Sequence, residues 1–177
     1  MSYLPIRVWT DFQSAVRLLS AEASPKEVLD LILNWIKRNR KFFLSGSFAV
    51  YGFEEFLGLS GEEMPVNFSN FSSSELENFK KFTFKYQAKD VDYIAQFLRD
   101  VIETLITVEV DKKCPNCNSE GMHVFIGKYN NLVAYQCNVC GHSQYSDGSK
   151  VEVGGLEFIT ERKLRDLNFN LKFHKDE

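Results

Sequence analysis

Four cysteines constrain this chain more than any other feature. They read Cys114-Pro115-Asn116-Cys117 and Cys137-Asn138-Val139-Cys140-Gly141, and the chain has no others. The spacing of two C-x-x-C pairs separated by 19 residues is that of a four-cysteine zinc site. Two residues between cysteines allow one tight turn to aim both sulfurs at a single ion. Two such turns then make a tetrahedral S₄ set with metal–sulfur bonds of about 2.3 Å. The spacer must run out and back to bring the turns together. Met122–Ile126 and Leu132–Gln136 are short apolar-mixed runs, and Lys128-Tyr129-Asn130-Asn131 sits between them as a turn, with Asn suited to left-handed geometry. The spacer therefore predicts a β-hairpin with a cysteine knuckle at each root. A redox pair would need a thioredoxin-like βαβ context, which does not flank the site. Disulfides would be expected of a secreted chain. His123 and His142 lie close in sequence, but four thiolates already complete a ligand set.

These residues resemble the two knuckles of a zinc ribbon over about residues 112–150. The resemblance implies that Cys114, Cys117, Cys137 and Cys140 ligate one structural Zn²⁺. It departs at Asn118, where ribbons often carry Gly; Asn also takes the left-handed conformation at modest cost. Ribbons serve in transcription, translation and DNA-handling proteins and also as folding staples, so the motif points to a metal and not to one function.

The remaining composition is that of a soluble globular chain: 177 residues, 44% hydrophobic, 25% charged. The start, Met1 to Pro5, lacks the charged lead and apolar run of a signal peptide, and no window is apolar enough to span a membrane. A cytoplasmic protein with reduced cysteines is expected.

Helices are expected from about Asp11, from Ser24-Pro25-Lys26-Glu27 (a capping box with Pro at the first position), from a second box at Ser74–Glu77, and from Asp90. The last of these carries Val91, Ile94, Leu98, Val101, Ile102 and Leu105 at helical spacing. The basic run Lys37–Lys41 complements a helix C-terminus. Phe53–Leu59 suggests a short helical turn, and Thr160–Leu167 a helix. Strands are expected at Phe42–Tyr51, Phe82–Tyr86, Thr107–Val110, Lys150–Val153 and Asn168–Phe173. The reading is an α+β protein. Residues 1–110 form a helix-rich region with some strands, and 111–177 form the zinc ribbon with terminal elements, packed together as one unit.

No phosphate loop and no nucleophile elbow occur, and the three histidines all lie at or beyond 123. A non-enzymatic protein is therefore expected. The net charge of −3 argues against a dedicated nucleic-acid binder. Charge is uneven, however. The 38 residues between Lys41 and Lys80 contain no basic residue and six glutamates, interleaved with phenylalanines. Acidic groups rimmed by aromatics suit docking to a basic protein, with Glu54, Glu55, Glu62 and Glu63 steering and Phe68 and Phe71 anchoring. The competing reading makes the aromatics core and the glutamates a solvated face. In general profile the chain looks like the small acidic immunity proteins of bacterial toxin systems, including contact-dependent inhibition. That likeness implies a basic toxin, often a nuclease, as the bound partner. The alternative is a nucleic-acid-binding accessory protein, its footprint drawn from Lys112, Lys113, Lys128, Tyr129, Lys150, Arg162, Lys163 and Arg165.

Overall fold

The computed structural model describes residues 3–168. The order of elements is α1 (Ile6–Arg17), α2 (Pro25–Arg38), α3 (Arg40–Phe43), α4 (Gly46–Val50), α5 (Glu54–Leu57), α6 (Ser73–Lys85), α7 (Val91–Ile106), β1 (Glu109–Lys113), β2 (Glu120–Gly127), β3 (Val133–Cys137), β4 (Ser143–Tyr145), β5 (Leu156–Phe158) and α8 (Glu161–Asp166). A 3₁₀ turn covers Val66–Phe68. The fold class is α+β. The chain divides into two compact units: residues up to 62 with 71–105, and 63–70 with residues from 106 onward.

The first unit is helical, and its interior is a run of aromatic rings. Trp9 stacks on Phe12 (centroids 5.3 Å apart), Phe12 meets Trp35 (4.3 Å), and Trp35 meets Phe43 (5.0 Å). Phe43 then meets Phe48 (4.5 Å), Phe48 meets Phe53 (5.0 Å) and Phe53 meets Phe56 (5.3 Å). All of these rings are buried. Each contributes about 1.5–3 kcal/mol by leaving water. The capping box at α2 forms as expected: the Ser24 hydroxyl accepts from the Glu27 N–H at 3.3 Å, and the Glu27 carboxylate accepts from the Ser24 N–H at 2.7 Å.

Several expectations are corrected here. Phe42–Tyr51 is two helical turns, α3 and α4, not a strand. Ser45 and Gly46 break it, with Gly46 in the left-handed region (φ 58°). Phe82–Tyr86 belongs almost wholly to α6. Its period-two pattern arises because exposed Phe84 falls between Phe82 and the C-cap residue Tyr86, while buried Thr83 donates to the Phe79 carbonyl one turn back at 2.8 Å. α1 begins at Ile6 behind Pro5, not at Asp11. α6 is capped by Ser72, whose hydroxyl accepts from the Glu75 N–H at 3.4 Å, rather than by Ser74.

The second unit is built on an antiparallel sheet in the order β1-β2-β3-β4, with β5 pairing the far part of β2. The hairpin expected between the knuckles is β2–β3, in register Met122↔Cys137 to Ile126↔Val133. Asn131 supplies its left-handed turn residue (φ 55°). Val108, Val124, Ile126, Ile159 and Leu164 form a buried cluster over the sheet. Lys150 makes only a single bridge to Gln144, so the strand expected at 150–153 is replaced by β5. The strand expected at Asn168–Phe173 lies outside the described residues beyond Asn168, itself a turn residue (φ 50°). No helix among the described residues is long and apolar enough to cross a membrane.

Candidate metal centre

β1 ends in the first knuckle and β3 runs into the second, so the sheet itself sets the two turns side by side. Their backbones are built alike. In the first, the Cys114 N–H donates to the Ser119 carbonyl (2.9 Å) and the Asn118 N–H to the Cys114 carbonyl (2.9 Å). In the second, Cys137 N–H donates to His142 and Gly141 N–H to Cys137, each at 2.9 Å. The residue after each second cysteine is left-handed: Asn118 at φ 59° and Gly141 at φ 71°. Asn118 thus takes in the first knuckle the conformation that Gly141 takes in the second.

The four Sγ atoms all lie within 4.8 Å of one another. Cys114 Sγ is 3.6 Å from Cys140 Sγ, and Cys117 Sγ is 3.6 Å from Cys137 Sγ. A sulfur–sulfur bond is about 2.05 Å long, so these are free thiols. A tetrahedron of metal–sulfur bonds of about 2.3 Å has edges of about 3.8 Å. The donor set therefore fits a tetrahedral thiophilic metal ion. Cys114 and Cys137 are buried, Cys117 and Cys140 exposed. Neither His123 nor His142 joins the set.

Polar groups around Cys137 and Cys140 favour the thiolate form that a metal requires. Backbone N–H groups of Asn116 and Val139 donate to Cys114 and Cys137, each at 3.4 Å. The Ser119 hydroxyl lies 2.9 Å from Cys117 Sγ and 3.2 Å from Cys137 Sγ. The Asn116 side-chain amide reaches Cys140 Sγ at 3.5 Å. Ser119 is the first cause of a Cys137 thiol held down to about 6, with the Cys140 N–H next. The His142 N–H, then Asn116, lower Cys140. Burial pushes Cys114 up to about 11. Four thiolates this close repel one another, and a bound cation is what lets them ionise together. Sequence reasoning missed Ser119 and Asn116 as supporting groups. Their only signal was position: a hydroxyl two residues after Cys117 and an amide between the paired cysteines.

The proposed partner-binding residues differ in exposure and in the unit they belong to. Glu54 and Glu55 stand exposed in α5, and exposed Glu62 pairs with Lys26 at 2.8 Å. Glu63 is exposed but belongs to the second unit, where its carbonyl accepts from the Glu161 N–H at 2.8 Å. Phe71 is buried, and Phe68 is half-buried against the Val108–Leu164 cluster with the Arg165 guanidinium 5.3 Å from its ring. The anchor expectation is therefore corrected. A polar loop does not keep its phenylalanines in water when a 3₁₀ turn aims one of them into a core. Of the basic footprint, Lys112 covers the Tyr135 ring at 3.9 Å, and Arg165 pairs with Glu161 at 2.6 Å.

Compared with known proteins, the chain matches no family model, no curated protein and no solved structure.

Proposed function

We propose that this chain is a non-enzymatic, zinc-stabilised protein-binding module. The observation that carries the metal half is the sulfur tetrahedron with both knuckle turns closed by matching hydrogen bonds. Zinc is the ion of choice for four thiolates. A closed S₄ set gives no coordination position to a substrate, so its role is to hold the fold, one ion per chain. The partner half rests on charge. The exposed carboxylates of Glu54 and Glu55 lie in a stretch of sequence without basic residues, which favours a basic protein as partner. Within that class, an immunity protein that neutralises a basic toxin such as a nuclease has the matching size and acidity.

Lys128 and Tyr129, side by side and exposed at the hairpin tip, favour the second reading, a ribbon that touches nucleic acid. Affinity capture from the native cell, with and without nuclease, separates the two. A basic protein retained after nuclease treatment supports the first reading. Loss of all partners on nuclease treatment, with binding that falls steeply with salt, overturns it. Elemental analysis of reduced, freshly purified protein should give one zinc per chain, and metal-free folded protein would refute the metal half.

A further inference from the structure

We infer that the channel between α6 and α7 is the docking groove for an arginine- or lysine-bearing segment of a partner polypeptide. This inference rests on the protein-binding reading and places the contact on residues that reading did not use. Two clefts, of about 280 Å³ and about 220 Å³, adjoin through shared walls at Phe82, Phe97 and Asp100. Both lie wholly in the first unit. One opens toward Tyr86 and Tyr93, the other toward Phe79 and Glu75.

The floor is a ladder of rings. Tyr86 and Tyr93 are stacked, 6.0 Å apart and 5° from parallel, and Phe82 stacks on Tyr86 at 6.2 Å and 18°. Phe97 stacks on Phe79 at 6.0 Å and 21°. Phe79 is buried, but the other four rings are only partly covered: Phe82, Tyr86 and Phe97 are half-buried and Tyr93 is 65% exposed. Ring faces carry negative potential and attract a cation within about 6 Å of the centroid. The molecule already shows this at one edge, where the Lys85 ammonium sits 5.4 Å from the Phe82 centroid and 5.8 Å from that of Tyr86.

The charges on the walls match the same occupant. Asp100 borders both clefts, Glu75 borders one, and no lysine, arginine or histidine lines either among the described residues. Partial burial already raises the Asp100 carboxyl above its usual range, against the pull of Arg99, so an arriving cation meets a carboxylate that gains from it. A planar guanidinium fits best, because it stacks on a ring and pairs with a carboxylate at once. Single-stranded nucleic acid also stacks on aromatics, but its phosphates would face Asp100 and Glu75.

The test uses the full zinc-loaded chain and a fluorescein-labelled nonapeptide of alternating arginine and glycine. Its control carries citrulline, which keeps the shape and removes the charge. We expect the arginine peptide to bind, with backbone amide shifts confined to residues 75–104, and the citrulline peptide to bind at least about tenfold more weakly. Tyr93→Ala should weaken binding about tenfold and Asp100→Asn about threefold, with unchanged thermal melts; both side chains are exposed enough to be replaced without unfolding. Equal binding of the citrulline peptide, or undiminished binding to Tyr93→Ala, would overturn the groove. So would an oligothymidine that shifts the same amides more strongly, or a second copy of the chain filling the channel at working concentration. A captured native partner that still binds Tyr93→Ala at full strength refutes the groove and leaves the protein-binding reading standing. Capture of no protein partner at all, beside a peptide that binds as expected, refutes the reading and leaves the groove.

Discussion

Asn118 and Gly141 hold equivalent places in the two knuckles, so their interchange is a direct test of what each turn needs. Both backbones are left-handed. Asn118→Gly should leave metal affinity and stability within about 0.5 kcal/mol, because Gly adopts that conformation freely. Asn118→Val should cost about 1–2 kcal/mol, since the β-branched side chain is strained there. A valine variant as stable as the parent would mean the first knuckle closes in some other way. Ser119 invites a second substitution. Its hydroxyl touches two ligand sulfurs, and losing such a supporting group typically costs about 10–100-fold in metal affinity. Ser119→Ala should show that loss in competition with a chromogenic chelator, while Cys117→Ser should lose the metal outright. The ligands were legible because C-x-x-C has one dominant use at this spacing. Ser119 was not, because which hydroxyl meets a sulfur depends on how two turns face each other across a sheet.

Among the helices, α7 carries a group whose contribution to stability depends on pH. Glu103 pairs with Arg99 at 2.6 Å, yet burial outweighs that pairing and raises its carboxyl above the usual range. A carboxyl raised on folding holds its proton more tightly in the native state. Its contribution is therefore fully favourable below the unfolded pKa near 4.5 and is lost as pH rises through the higher folded value. Glu103→Gln should thus melt above the parent at pH 7, with the gap narrowing as pH falls toward 4.5. A gap that widens toward acid would mean that Arg99, rather than burial, controls this carboxyl. In the α3–α5 region, Phe48→Ala should cost about 3–5 kcal/mol, as expected for a ring removed from a packed aromatic core. A loss under about 1 kcal/mol would mean that its neighbours close over the gap. The same region shows why some elements were misread. Phe42–Tyr51 is short, apolar and interrupted by Gly46, and a run of that kind does not reveal its period. Long α2 and α7, with a capping box or several turns of apolar spacing, were legible. The helix at 82–85 was hidden because its two aromatics also satisfy a period of two.

For the whole molecule, the decisive question is where the free energy of metal binding goes. Structural zinc contributes to folding directly, because the unfolded chain has no preformed site. All four ligands, the sheet that presents them and the Val108–Leu164 cluster belong to the second unit. Both tryptophans, Trp9 and Trp35, are buried in the first, which has its own aromatic interior. Tryptophan emission therefore reports one unit, and amide exchange in β1–β4 reports the other. On adding a strong chelator at neutral pH, amide protection over residues 109–145 should fall while tryptophan emission stays at its native wavelength. Restoring zinc should restore the protection. A red shift of tryptophan emission in step with the loss of metal would show instead that both units melt together. Retained protection in the sheet after full removal of metal would mean that the β2–β3 hairpin and its apolar cluster stand alone, with zinc present for a purpose other than folding.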